Sequence, residues 1–321
     1  MIGFVARRIA YLVAVVVTIS VSTFVLFFAG NAGSLAARFA GKDATPQDIA
    51  DAEIRLGLNH GFWYQYWHWL SGIFVHFSFG LDYQNQEPIT SEIGRSLPIT
   101  ASLVIGAAVI WVVIGVAIGI VAASRPRSIR DRAGTFFALT FLSMPTFVLG
   151  VLSLLVFYFY LTKAGVRWFP PGSYVGITTN PAQWARHLIL PWFTLALVQA
   201  AVYTRLVRSS MLDALGEDYI RTARAKGLTR RRVIYKHALR AALTPVTTQL
   251  GIDVGTLLAG AFVTEQVFGL TGLGFISIHA IFNQDLPVVA AVVFLAAVFI
   301  VVMNTVVDVV YALLDPRVRL S

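Results

Sequence analysis

Six long apolar runs constrain this chain more than any other feature. They cover roughly residues 9–29, 98–123, 133–161, 188–206, 244–264 and 288–314. A helix needs ~20 mostly apolar residues to cross a hydrocarbon core about 30 Å thick, and each run is about that long. Lipid offers the backbone no hydrogen-bond partners, so segments of this kind cross as helices. The rest of the composition agrees. Charged residues make up 13% of the 321, about half the ~25% of a soluble domain, and mean hydropathy is +0.73. The expected class is an all-α integral membrane protein with six transmembrane helices. The first run follows Arg7 and Arg8, as a secretory leader would, but it exceeds the 7–15 residues of a leader's apolar core and reads as a retained span.

The net charge of +9 acquires meaning from position. Of the 25 Lys and Arg, eighteen fall in the N-terminus, the loop 124–132, the segment 205–243 and the C-terminus; seven fall in the alternating segments. Short loops rich in Lys and Arg stay in the cytoplasm, so both termini and the segment 205–243 are expected there. Three parts follow: 1–29 as N-terminus and first span, 30–97 as an extracytoplasmic segment, and 98–321 as a core of five spans. Within the extracytoplasmic segment, 50–56 reads as an amphipathic turn. Residues 62–79 are aromatic-rich and suit the membrane interface, where Trp and Tyr prefer to sit. His60, His68 and His76 recur every eight residues, which is not a compact metal-ligand spacing. Residues 162–187 carry Pro170, Pro171, Gly172 and Pro181 and read as an irregular loop. Residues 265–287 read as a Gly-rich turn and a short re-entrant or interfacial helix.

Catalytic chemistry is not indicated. The chain has no cysteine, hence no disulfide or thiolate chemistry. It lacks the Gly-rich phosphate loop with its Lys, so it is not expected to bind or hydrolyse ATP, and it lacks the HExxH and GxSxG patterns. The spans hold few polar exceptions. Asp253 in the fifth and Asp308 in the sixth are carboxylates at membrane depth, where an ionisable group is a functional candidate. For Asp308, near the inner end of its helix, pairing with Arg317 or Arg319 or with water is the stronger explanation. Pro145 in "LSMPTF" should kink the third span, a feature that suits either a translocation path or helix packing. Gly251, Gly255 and Ala259 form a small-residue stripe that lets another helix approach closely.

One segment is unlike the rest. Residues 217–243, "EDYIRTARAKGLTRRRVIYKHALRAAL", are basic and helical in pattern, yet lie between two apolar spans. Asp218 is a plausible N-cap for a two-turn helix over 219–226, and Gly227 a left-handed stop. Thr229 would cap a second, amphipathic helix with Val233, Ile234, His237, Ala238, Ala241 and Ala242 on its apolar face. Tethered at both ends to spans, the pair cannot leave the membrane surface to read DNA, so no nucleic-acid partner is expected. Small residues at a sharp turn, Thr222, Ala223 and Ala225, suggest a knob that enters another protein's groove.

This segment resembles the cytoplasmic EAA loop of bacterial ABC-importer permeases, in the form of the peptide-permease branch. Aligned on Gly227, the general E-A-A-x-x-x-G-x9-I-x-L-P pattern is kept at Ala223, Gly227 and Leu239 only; "TARAKG" matches the peptide-branch form far better. Further resemblances run along the chain in order: "RLGLNHGFWYQYWHWLSGIFVHFSFGLDY", "ITSEIGRSLPITASL", "LSMPTFVLG", "EQVFGLTGLGFISIHAIFNQDLPVV", with Thr271 where proline is usual, and "YALLDPRVR".

The resemblance implies a type I ABC-importer permease fold with a cytoplasmic coupling helix, in a loop at about 213–243. It implies the first membrane subunit of a dipeptide or oligopeptide importer in the bacterial inner membrane. Its implied partners are a second homologous permease, two ATPase subunits that bind ATP and Mg, an extracytoplasmic peptide-binding protein, and the lipid bilayer. No cofactor is expected on this chain itself. The implied ATPase-docking residues are Asp218, Tyr219, Arg221, Thr222, Ala223, Arg224, Ala225, Lys226, Gly227 and Leu228, with Ala223 packed in the ATPase groove. Pro145 and Asp253 are the candidates for the pathway. Nickel, glutathione or another peptide-like cargo fits the same architecture. A proton-coupled transporter using Asp253 fits less well, since no internal repeat is visible.

Overall fold

The computed structural model describes residues 2–28, 32–41, 44–170, 172–258 and 260–314. Regular structure in them is helical apart from one isolated bridge between Leu81 and Pro88. In chain order the helices are α1 (Ile2–Phe27), α2 (Ala32–Ala40), α3 (Pro46–Arg55), α4 (Phe62–Val75), α5 (Ile89–Ser124), α6 (Ile129–Ser143), α7 (Thr146–Lys163), α8 (Pro181–Gly216), α9 (Asp218–Ala225), α10 (Arg230–Leu258), α11 (Phe262–Phe268), α12 (Leu273–Phe282) and α13 (Leu286–Leu314). Among the described residues, five helices are long and apolar enough to cross a membrane: α1, α5, α7, α8 and α13. The bent pair α10–α11 makes a sixth when its two helices are counted as one span.

The centre is the pair α5 and α8, each 36 residues, or about 54 Å at 1.5 Å per residue. Both outrun the apolar stretches read from the sequence, because capping sits further out. Asn180 accepts from the Gln183 backbone N–H at 3.1 Å to start α8, with Pro181 as its first residue. Pro98 and Pro191 lie within the helices. Glycines set how closely the two approach. A Cβ on Gly115 would lie 2.5 Å from the Tyr203 Cβ, and one on Gly119 would lie 2.6 Å from the Val207 Cβ. Trp111, Ala200, Tyr203 and Val207 are buried around this seam. Small residues at helix crossings serve membrane bundles because lipid supplies no hydrophobic drive between helices.

Pro145 does more than kink the third span. Met144 is extended, as a residue before proline prefers, and Pro145 caps a new helix at ψ 137°, so α6 and α7 are separate. Residues 154–160 of α7 then take wide π-type turns. The fifth span also differs. The second loop helix does not end before it; α10 runs unbroken from Arg230 to Leu258. Beyond Gly260 (φ 151°) the chain bends by 53° into α11, which takes Thr264 out of the span. Gly251 and Gly255 are buried on α10, and a Cβ on Gly255 would meet the Ile300 Cα of α13 at 3.2 Å. Ala259, the third member of that stripe, lies outside the described residues, as do Arg317, Arg319 and the side chain of Asp308.

Between α1 and α5, residues 50–55 belong to a full helix, α3, with Leu56 as its C-cap. Its capping box joins the Thr45 backbone N–H to Asp48 at 2.8 Å and the Asp48 N–H to the Thr45 hydroxyl at 3.3 Å. α4 packs Phe62, Tyr66 and Trp69 around Phe24 of α1 and leaves Trp63, Trp67 and Phe74 exposed. His60 and His68 pack on either side of Tyr64. The turn between α11 and α12 is pinned by Glu265, which is fully buried. Glu265 accepts from the Thr100 hydroxyl at 2.5 Å and the Phe275 N–H at 2.9 Å, and the Leu273 N–H donates to Thr100 at 2.8 Å.

Candidate functional site

The basic loop folds as a short helix, a sharp turn and the start of a long helix. Glu217 caps α9 without a side-chain hydrogen bond, so Asp218 is the first helical residue rather than the cap. Its carboxylate instead pairs with Arg221 at 3.2 Å, both exposed. At the other end Gly227 has φ 74°. Its N–H donates to the Arg224 carbonyl at 2.9 Å, and the Leu228 N–H to the Ala223 carbonyl at 3.3 Å. That two-bond closure satisfies carbonyls which a helix end would otherwise leave open, and it needs a residue at home in the left-handed region.

The two faces of α9 are distinct. Ile220 and Ala223, three residues apart, are buried with Val207, Met211, Val233 and Ile234 in the chain's own core. Tyr219, Arg221, Thr222, Arg224, Ala225, Lys226 and Gly227 are exposed, and Leu228 is half-buried. This corrects the expectation for Ala223. Its side chain points into this chain and not outward to a partner, because Ile220 and Ala223 form the one apolar face through which so short a helix can pack.

Three side chains tie the loop side of the molecule together, and none stood out in the sequence. Arg230, at the start of α10, donates to the backbone carbonyl of Ser124 at the end of α5. Arg208 of α8 grips Asp131 of α6 with two bonds, Nε to Oδ1 at 2.6 Å and Nη2 to Oδ2 at 3.0 Å. The Arg208 guanidinium holds the Asp131 carboxyl below its ordinary range, helped by the Arg127 N–H and opposed by desolvation. Such two-point pairing fixes orientation as well as distance.

The second candidate region lies along α10. Asp253 accepts from the Tyr203 hydroxyl of α8 at 2.9 Å and from Gln249 Nε2, one turn earlier on its own helix, at 2.8 Å. Gln249, four residues before Asp253, is the partner that the sequence could have disclosed; Tyr203 required the fold. Beside this cluster runs the exposed face of α10, with Pro245, Thr248, Ile252 and Thr256. Pro145 is not part of that face; the helix it begins, α7, packs on α8 and α11.

Among the described residues, a helical architecture with five or six apolar spans, a pinned turn and a basic loop between two spans defines a multi-pass membrane protein. Residues 115–320 match the family described as the binding-protein-dependent transport system inner membrane component, and residues 1–104 match its N-terminal companion family. The chain belongs to this family of inner-membrane permeases. It is 34% identical over 344 residues to the dipeptide transport system permease protein DppB of Escherichia coli K12, covering 99% of each chain. It is 36% identical over 319 residues to a protein of Brucella abortus strain 2308 named as a peptide transport system permease, again covering 99% of each. A peptide ABC transporter permease protein named from Sinorhizobium fredii is 35% identical, covering 98% of this chain and 99% of its own. Among solved structures, a chain of the inward-facing MetNI methionine ABC transporter superposes with a TM-score of 0.53 at 20% identity. The match covers 70% of this chain and 96% of that one; it speaks to the fold alone.

Proposed function

We propose that this chain is a permease subunit of an ATP-driven importer of dipeptides or oligopeptides. It forms half of the translocation pathway, beside a second homologous permease. Two ATPase subunits supply the energy, and they, not this chain, bind ATP and Mg. An extracytoplasmic binding protein delivers the peptide. The loop from Asp218 to Leu228 docks one ATPase subunit, with both termini on the same cytoplasmic side. Pro145 and Asp253 belong to the membrane part of the machine, Asp253 on the face that borders the pathway.

One observation carries the reading: the chain matches permeases named for peptide and dipeptide transport almost from end to end. The loop geometry supports the docking role. An exposed, rigidly terminated helix on a buried apolar foot is suited to pass force into the bundle without itself melting. Purification of the chain with the companion permease and the ATPases tests the reading. The expected result is a stable complex whose ATP hydrolysis rises when peptide-loaded binding protein is added, and no hydrolysis by this chain alone. A complex that responds to nickel or glutathione and ignores peptides would reassign the cargo.

A further inference from the structure

We propose that Asp253 is a station for the side-chain ammonium groups of the cargo, a carboxylate on the pathway wall that favours passage of lysine-containing peptides. This rests on the reading of the chain as a peptide permease. Four observations lead to it. First, α10 alone is not apolar enough to count as a span; it qualifies only together with α11. Second, a polar strip runs along one side of α10, beside the exposed Ile252. Thr248 and Thr256 are exposed and Gln249 and Asp253 half-buried, whereas Val246, Gly251 and Gly255 are buried against neighbouring helices. Other spans show lipid-compatible exposed faces, such as Ile105, Val109 and Val113 on α5 and Phe147, Val151 and Leu155 on α7.

Third, the carboxylate is held in place rather than neutralised. Each oxygen accepts one hydrogen bond, Oδ2 from the Tyr203 hydroxyl and Oδ1 from Gln249, and no Lys, Arg or His pairs with it among the described residues. A carboxylate has about four acceptor positions, so capacity remains on the half-exposed side. Fourth, an ionisable group at membrane depth normally faces protein or a water-filled space and is costly facing lipid. Lysine-containing peptides bring the complementary charge in their side-chain ammonium groups, which acidic peptides lack. Tyr203 and Gln249 are positioning residues that orient the carboxylate from behind and from one turn below.

The test uses the assembled importer in liposomes, with saturating binding protein loaded with dilysine or with diglutamate. The ratio of the two uptake rates is taken for wild type and for Asp253→Asn. Binding-protein preference is common to both and cancels. Losing a hydrogen bond to a charged group is worth about a factor of ten or more, so dilysine uptake should fall roughly tenfold relative to diglutamate, and Asp253→Glu should keep the wild-type ratio. An unchanged ratio, or equal loss for both cargoes, overturns the proposal. Should Asp253→Asn fail to assemble, Thr256→Cys decides, since the chain has no other cysteine. It should react with a water-soluble thiosulfonate and be protected by loaded binding protein under turnover; an unreactive or unprotected thiol places the face against lipid or the other permease and overturns the proposal. Absence of any peptide uptake by the wild-type complex would instead refute the importer reading itself.

Discussion

The guanidinium of Arg230 donates to the backbone carbonyl of Ser124, fastening the first turn of α10 to the end of α5. The last carbonyls of a helix have no partner within it, and a cation there also meets the negative end of the helix dipole. The bond spans the point where the basic loop meets the central helix pair. We predict that Arg230→Ala leaves membrane level and ATPase co-purification near wild type but lowers peptide uptake per ATP hydrolysed severalfold. The site is exposed, so the stability cost should be about 1 kcal/mol or less. Parallel loss of hydrolysis and uptake, with their ratio unchanged, would show that the bond does not transmit motion.

Ala223 and Ala225 should behave differently although both lie on α9. Ala223 is buried in the chain's own core, so Ala223→Asp puts an unpaired charge there, at a cost of several kcal/mol. The expected result is a low level of the chain itself. Ala225 is exposed. Ala225→Asp should give normal chain levels and reduced co-purification of the ATPase. Quantitative blotting of membranes, followed by affinity pull-down of the complex, separates the two outcomes.

Asp82 and Asp285 form a buried carboxylate pair. Asp285 takes the Tyr83 N–H at 2.9 Å, and Asp82 takes the Gln84 N–H at 2.6 Å and Asn85 Nδ2 at 2.9 Å. They share a cavity of about 170 Å³ with Glu92 and His279. Burial, and then Asp82, push the Asp285 carboxyl up to about 7. Asp82 is shifted downward: its hydrogen bonds outweigh the opposing effect of burial. Nearby cations are engaged elsewhere, Arg95 with Glu87 at 2.5 Å and Arg38 with the Gln284 carbonyl at 2.9 Å. Because the folded value for Asp285 lies above the unfolded one, its contribution to stability is complete below about pH 4 and is lost as pH rises through about 7. Melting temperature should therefore fall by roughly 2–4 °C between pH 6 and 8, and Asp285→Asn should flatten that dependence. A wild-type melting temperature that rises over this interval would contradict the sign.

Topology can be checked with cysteines placed in this cysteine-free chain. Cysteine at Gln84 should react with an impermeant maleimide in intact cells, and cysteine at Ser128 should react only after the membrane is opened. The reverse pattern would put the basic loop on the outer side and exclude ATPase docking there.

The apolar spans were legible in sequence because run length reflects a physical requirement of the bilayer. Gly227 was legible as a helix stop because its role is local. Run length was a poor guide to where helices end: α5 and α8 continue past the apolar residues to caps such as Asn180. Pro145 looked like a kink, but Met144 also went extended and the helix broke. The facing of Ala223 could not be read from eight residues whose apolar side has only Ile220 for company. Likewise Asp253 was visible as an anomaly, while the Tyr203 hydroxyl that orients it comes from a residue 50 positions away.

On the proposed function, ATP hydrolysis by a partner docked on residues 218–228 drives peptide through this chain. Uptake of a radiolabelled dipeptide by liposomes holding the full complex tests it most directly, with ATP sealed inside and loaded binding protein outside. Uptake should require ATP, survive collapse of the proton gradient, and drop roughly tenfold or more with Ala225→Asp in this chain. Uptake that persists without ATP and follows an imposed proton gradient would contradict it.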